Sequence, residues 1–308
     1  MKPLAPGTTL VDLEYLGRPG HIATCFLETS DGLALVDPGP ATTVIRLRQA
    51  IERFGATMQD VRVLLLTHIH LDHAGVAGIL ARELPRLRIH VHERGAEHLA
   101  DPTRLLRSAT MIYGDQMDRL WGEVLPVPAE SIHPVAGGER LSFGGRAITV
   151  GYTPGHAWHH VSFLDEGSGI AFTGDVVGEQ PPGSSMPLPV TPPPDIDVEL
   201  MVESGHRILA WRPARLFVTH FGPVDAPAEF VRLHEARLRQ WSLEVRDSLD
   251  QPGPDEERRA RFADRAHPQL LREFPHASHE YLPRETLEGN WVGLARYWRT
   301  RDTGTSGA

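Results

Sequence analysis

One cysteine, Cys25, occurs in 308 residues. An intrachain disulfide framework is therefore impossible, and a reducing compartment suits the chain. No apolar run approaches the ~20 residues that a membrane-spanning helix needs, so no membrane partner is expected. The N-terminal stretch MKPLAPGTTLVDLEY lacks the apolar block of a secretory signal, and a cytoplasmic location is the expectation. Basic residues are outnumbered: 31 Lys and Arg face 40 Asp and Glu, a net charge of −9 with the histidines neutral. That balance disfavours nonspecific nucleic-acid binding through a broad basic field, though not through a local groove.

What remains is an ordinary globular composition. The apolar fraction is 41%, and the length suffices for one large domain or two modest ones. Histidine is the excess, with 17 residues, several of them clustered.

Hydrophobic patterning predicts alternating strands and helices. Residues 8–15, 21–29 and 33–39 read as a meander closed by Asp31-Gly32 and Pro38-Gly39 turns. Val44, Ile45, Leu47, Ile51 and Phe54 fall largely on one face of a helix over 41–54. VRVLLLTH, from Val61, is a near-continuous apolar strand, buried on both faces. A helix over 74–83, a strand over 88–92 and mostly helical residues over 94–120, interrupted at Pro102 and Gly114, follow. A second half begins with strands at 131–135, 139–143, 147–153, 159–165 and 169–175. The proline-dense segment 179–195 is too long for a routine connection and suggests a functional loop. A helix over 196–210 and a strand over 214–220 complete a unit spanning 1–225. Residues 226–308 form a helical C-terminal region, with helices over 227–249, to about 274, and over 283–300, and a frayed tail beyond Arg301. The two halves share an organisation, strands followed by a histidine at a strand end. Layers stacked αββα accommodate it.

The densest chemistry lies in THIHLDHAGVAG, residues 67–78. His68, His70, Asp72 and His73 follow the buried strand at once, and strand ends are where open α/β sheets place ligands. If the chain is still extended, His68 and His70 point the same way. Asp72 and His73 then turn over as the next helix starts and can face a neighbouring point. Such a cluster can supply two adjacent metal positions, with ligands suited to zinc, iron or manganese. A polar loop with incidental histidines is the bland alternative, and the density of the cluster argues against it.

This H-x-H-x-D-H arrangement resembles the metallo-β-lactamase superfamily, and further motifs match in order. TPGHAWHHVSF (153–163) resembles its second motif and contributes His156; AFTGD (171–175) its third, with Asp175; LFVTHFG (216–222) its last, with His220. LVDPG (35–39) resembles the early strand-turn whose aspartate, here Asp37, supports the site from behind the ligands. The resemblance covers residues 8–225 and implies an αββα four-layer sandwich with a C-terminal helical extension. It implies two divalent metal ions, zinc first, with iron or manganese also accepted. One would take His68, His70 and His156, the other Asp72, His73 and His220. Asp175 would bridge them beside a water or hydroxide, which makes Asp72 and Asp175 the catalytic carboxylates. In the glyoxalase II-like branch a histidine stands where His160 does, near the metals without being a ligand.

Other candidates have packing roles as their rivals. Trp158, Tyr113, Phe221 and Met186 line a pocket or fill a core, and the role of His159 is open. His90 and His92 alternate on a strand without carboxylate neighbours, which points to surface or satisfied positions. Cys25 packs as a small apolar residue.

The function implied is hydrolysis of a small ester, thioester, lactone or phosphoester by a metal-bridging hydroxide. The basic residues that grip glutathione in glyoxalase II proper find no match in the terminal helices. A nucleic-acid-processing hydrolase is the alternative, were Arg232, Arg237, Arg239, Arg258, Arg259 and Arg261 to line a groove; a paired, solvated face is their bland reading. A diiron redox protein is a third, disfavoured by the intact H-x-H pair and the absence of a flavodoxin-like pattern. A small-molecule substrate is expected, and the large apolar residues of the terminal helices need either the body of the protein or a second subunit to pack on. The proline-dense loop and those helices are expected to close over the site and set substrate choice.

Overall fold

The computed structural model describes residues 1–274 and 284–302; the tail from residue 303, where fraying was expected, lies outside them. Seven strands, β1 (Lys2–Ala5), β2 (Thr8–Asp12), β3 (Ala23–Thr29), β4 (Gly32–Val36), β5 (Val61–Leu65), β6 (Arg88–His92) and β7 (Ile132–Val135), form one sheet in that order. The first four run antiparallel, and β4 to β7 are parallel. A second sheet holds β8 (Arg140–Phe143), β9 (Arg146–Tyr152), β10 (Val161–Asp165), β11 (Ile170–Phe172), β12 (Arg215–Val218) and β13 (Gly222–Val224), in spatial order β13-β12-β11-β10-β9-β8.

The two-residue period of a strand explains why the sheets stack. Val63 and Leu65 of β5 face inward, with Cys25 and Leu27, onto Val150, Phe163, Phe172 and Phe217 of the second sheet. Leu64, between them, faces outward with Leu35 against Leu47 and Ile51 of α1 (Val44–Arg53). On β12, Phe217 faces in while Leu216 and Val218 face out, toward Met201 and Ile208 of a later helix, Val198–Ala210. Both sheets are thus apolar on both faces, and helices cover the outer ones. The fold is the expected αββα sandwich.

One smaller helix departs from expectation. Residues 74–83 do not form one helix. α2 (Leu71–Ala74) starts earlier, and α3 (Ala77–Glu83) follows after a break. The Val76 amide donates to Gly39 O at 3.0 Å, outside the helix, which ties the break to the β4 end. Residues 94–120 divide, at Pro102 and Gly114 as expected, into α4 (Glu93–Ala100), α5 (Thr103–Tyr113) and α6 (Met117–Leu120). The strand at 131–135 was grouped with the second half; it is β7, the parallel edge of the first sheet, because its chain returns beside β6 after α4 to α6.

The helix over Val198–Ala210 is α7, and three long helices end the chain: α8 (Pro227–Leu249), α9 (Asp255–Glu273) and α10 (Arg284–Asp302). Their Leu238, Trp241, Phe262, Trp291 and Leu294 share one apolar core with α7 and the outer face of β12. Burying each such side chain contributes roughly 1.5–3 kcal/mol. These helices therefore form the outer layer of the second sheet, and the core continues through the 225/226 boundary drawn from the sequence.

One imidazole in this layer is out of place. His234 of α8 is 2% exposed, and its Nε2 has no hydrogen-bond partner among the described residues. Burial pushes its pKa down to about 3, against a slight opposing pull from Glu235. The folded state therefore binds fewer protons at this site than the unfolded chain below pH ~6.5, the ordinary histidine value. Its stability is full above that pH and falls as acid is added toward pH 3, by on the order of 1 kcal/mol per pH unit. His234→Leu is expected to flatten the loss. In urea titrations of chelator-treated protein, the variant should gain on wild type at each step from pH 6.5 to 4. A constant difference would contradict it.

Candidate metal centre

The motif residues converge at one end of the sandwich. β5 runs into His68 and His70, and α2 supplies Asp72 and His73. The turn before β10 supplies His156, the end of β11 Asp175, and the end of β12 His220. His70 Nδ1 lies 3.0 Å from His68 Nε2 and 3.0 Å from His156 Nε2. Asp72, His73, Asp175 and His220 make a second group, with His220 Nε2 3.2 Å from Asp72 Oδ2 and His73 Nε2 3.3 Å from Asp175 Oδ1. Asp175 faces both groups, its other oxygen lying 3.7 Å from His156 Nε2. Two ligands on a tetrahedral ion with bonds near 2.1 Å stand about 3.4 Å apart, so these donor sets fit divalent cations. Among the described residues Asp175 Oδ1 is buried without a hydrogen-bond partner, as a metal-facing oxygen would be.

A shared carboxylate holds the frame. Asp37 is fully buried and lies at φ 46°, a conformation that aspartate tolerates better than most residues. Its Oδ1 accepts the Thr67 amide at 2.8 Å. Its Oδ2 accepts the Thr67 and Thr219 hydroxyls, each at 2.8 Å, and His73 Nδ1 at 2.9 Å. With its hydroxyl proton on Asp37, Thr67 Oγ1 accepts from His68 Nδ1 at 3.1 Å, which leaves His68 Nε2 for a metal. His156 Nδ1 donates to Val190 O at 3.0 Å and His220 Nδ1 to His21 O at 2.8 Å. Each of these bonds fixes a tautomer and a ring plane.

Burial and charge split the site into two poles. Burial, reinforced by neighbouring imidazoles, holds His68 well below the usual histidine range and His70 at about 3; burial also lowers His156. These three are neutral donors. At the other pole burial opposes charge but loses to it. Asp175 and Asp72 hold His73 well above its ordinary value and His220 at about 9, while His73 and His220 bring Asp72 down to about 2. Carboxylates that stabilise imidazolium charge so strongly favour a metal cation as well, and a metal would displace those ring protons.

The structure brings all seven expected ligands together, with Asp37 behind them. His160 is fully buried against His68, ring centroids 5.1 Å apart, and its Nδ1 lies 3.0 Å from Thr153 Oγ1. Gly174 lets the chain pass there: a Cβ on it would sit 2.6 Å from His160 Nε2, and its φ is +49°. His159, left open from the sequence, flanks His70 with ring centroids 5.7 Å apart.

Other candidates divide. Tyr113 joins Tyr15 and Trp121 in an aromatic group beside Leu71, next to Asp72. Phe221 and Met186 pack on the cores, and Cys25 is fully buried. Trp158 lies under the Arg94 guanidinium, 5.8 Å away. His92 is satisfied, accepting the Arg94 amide at 3.2 Å and stacking on Tyr152. His90 is neither: it is partly buried, and its Nδ1 has no partner among the described residues.

Sequence reasoning passed over Thr67, Thr219 and Glu179. A signal for the threonines exists, since each precedes an expected ligand histidine in a Thr-His pair at a strand end. Glu179 follows Asp175 by four residues, and burial, with the fields of Asp175 and Asp72, raises its carboxyl to about 7 against the pull of His220.

A sandwich of this kind, with a shared carboxylate between two imidazole-rich donor groups, defines a class of metalloprotein. The sequence profile of the metallo-beta-lactamase superfamily matches residues 17–220, and the chain belongs to that superfamily. It is similar to the metallo-beta-lactamase fold-containing protein ST1585 of Sulfurisphaera tokodaii, at 30% identity over 71% of this chain and 78% of that one. A hydroxyacylglutathione hydrolase of Legionella pneumophila is 25% identical over 47% of this chain and 42% of its own length. In structure the chain resembles the metallo-beta-lactamase family protein TTHA1429 of Thermus thermophilus, with a TM-score of 0.72 over 99% of this chain and 96% of that one, at 21% identity.

Proposed function

We propose that this protein is a metal-dependent hydrolase that acts on a small ester, thioester, lactone or phosphoester through two divalent cations, zinc in the first place and iron or manganese as substitutes. The observation that carries the reading is Asp175, which presents one oxygen to each group of donors. His68, His70 and His156 would hold one cation, and Asp72, His73 and His220 the other. Bound there, the cations supply Lewis acidity, polarising the scissile carbonyl or phosphoryl group and lowering the pKa of water. The residues of the chain do the rest. Asp37 orients His68 through Thr67 and His73 directly, and the split between neutral imidazoles and charged carboxylates gives the two positions different chemistry. A relative named as a hydroxyacylglutathione hydrolase supports hydrolysis of a small acyl compound.

A small substrate also suits the charge distribution. Each arginine that could have lined a nucleic-acid groove faces a carboxylate: Arg232 meets Glu229, Arg237 Glu273, Arg239 Glu235, Arg258 Asp255, Arg259 Glu288 and Arg261 Glu257. Metal analysis of protein purified without chelator is expected to find about two divalent ions per chain. The same preparation is expected to hydrolyse at least one member of a panel of thioesters, lactones, phosphodiesters and β-lactams. Trace metal only, after reloading with zinc, iron and manganese in turn, would overturn the reading.

A further inference from the structure

We propose that Asn290, in the C-terminal helix α10, is a positioning residue for the metal centre. It acts on His156 through the proline-dense loop. The inference rests on the metal-site reading above and adds to it a role for a residue far outside the motifs.

Asn290 is 6% exposed in the middle of a helix. Asparagine is a weak helix former, and a buried amide is costly unless bonded. Here every polar atom of the side chain is used on the loop. Oδ1 accepts the Thr191 amide at 2.8 Å and the Thr191 hydroxyl at 3.1 Å. Nδ2 donates to Pro189 O at 3.2 Å. The residue between these two anchors is Val190, whose carbonyl accepts His156 Nδ1 at 3.0 Å. The peptide that orients a metal-facing imidazole is therefore held on both flanks by one side chain.

The rest of the helix face is shaped for the same contact. Gly293, one turn on, lets the helix touch the loop backbone: a Cβ there would come within 2.0 Å of Thr191 O. Arg296 continues the stripe and donates to Pro194 O at 3.1 Å. From α8, Arg237 donates to Pro187 O at 3.1 Å. The terminal helices thus grip the loop over 187–194, and Asn290 is where that grip meets the metal centre.

A carbonyl that accepts the free N–H of a metal-ligating histidine fixes both tautomer and ring direction, and losing it typically costs 10–100-fold in metal affinity. Asn290→Ala removes the two side-chain anchors without touching a ligand. Arg296→Ala removes a loop contact of the same helix face, away from Val190. The full-length chains are loaded with cobalt(II) and titrated with a competing chelator, while the visible absorption spectrum reports the ligand field and urea unfolding reports stability. In Asn290→Ala, which leaves the Val190 carbonyl in place but unanchored, one of the two ions is expected to be released about 10-fold more readily, the low end of that range, with altered cobalt bands. The other ion should be held as in wild type, and Arg296→Ala should keep both. Wild-type affinity and spectrum in a folded Asn290→Ala would overturn the inference, as would equal weakening of both ions or the same loss in Arg296→Ala. If Asn290→Ala does not fold, Asn290→Asp, which keeps the acceptor for Thr191 and loses the donor to Pro189, is judged by the same criteria. A wild-type chain that binds no cobalt or zinc defeats the metallohydrolase reading instead, a separate result.

Discussion

Asp175→Asn is expected to keep the fold and lose hydrolysis by on the order of a thousandfold or more, as when one member of a cooperating group is removed. The amide has nearly the same shape, and the backbone carbonyl of residue 175 still accepts the Gly178 amide, a bond of 2.9 Å. What changes is charge. The carboxylate oxygens lie 3.3 Å from His73 Nε2 and 3.7 Å from His156 Nε2, one toward each donor group. An amide can offer an oxygen to only one group and turns an NH2 toward the other. It also removes the largest of the fields that hold His73 and His220 high. The checks are kcat/KM on the best substrate of the panel and metal content per chain. Wild-type turnover with two ions bound would show that Asp175 does not serve as the bridge.

Asp37→Ala is expected to cost stability and metal together, without touching a ligand. Four donors converge on this buried carboxylate: the Thr67 amide, the Thr67 and Thr219 hydroxyls, and His73 Nδ1. Alanine leaves them unsatisfied, and at φ 46° it is also strained. Breaking a buried charge-assisted network by removing its centre costs roughly 3–5 kcal/mol, a large part of the stability of an ordinary domain. Thr67 is then free to rotate away from His68, and His73 loses the bond that fixes its tautomer. Urea unfolding of the metal-free protein measures the first effect and chelator competition the second. Asp37→Asn, which retains one acceptor oxygen and tolerates the same φ, should fall between. Unchanged metal affinity in a folded Asp37→Ala would show that the ligands hold their places without this support.

The candidate donor set was legible because the side chains suited to a divalent cation here are histidines and carboxylates, and these are dense in the motifs. Four of the seven fall within six residues, from His68 to His73. Asp37 was legible only through the likeness of LVDPG to a known strand-turn; nothing in its local pattern shows that two threonines 30 and 182 residues away would bond to it. The apolar runs mark the strands, but β7, expected with the strands of the second half, lies in the first sheet. Its sequence records that it is a strand, not which edge it will meet. Glu179 and Asn290 could not be read at all. Each is one acid or amide among many, marked by what surrounds it in space.

The division follows from the range of the forces. Periodicity, turn chemistry and ligand spacing act over a few residues and are written in order along the chain. They determined the strands, most of the helices and the His- and Asp-rich motifs, whose likeness to a known superfamily supplied its name. The partition of strands between two sheets, the convergence of Asp37 on two Thr-His pairs, and the clamp of α10 on the loop behind His156 depend on contacts between segments distant in sequence. Only the tertiary structure decided those, because burial drives most polar groups to find a partner, and the nearest partner in space is seldom the nearest along the chain.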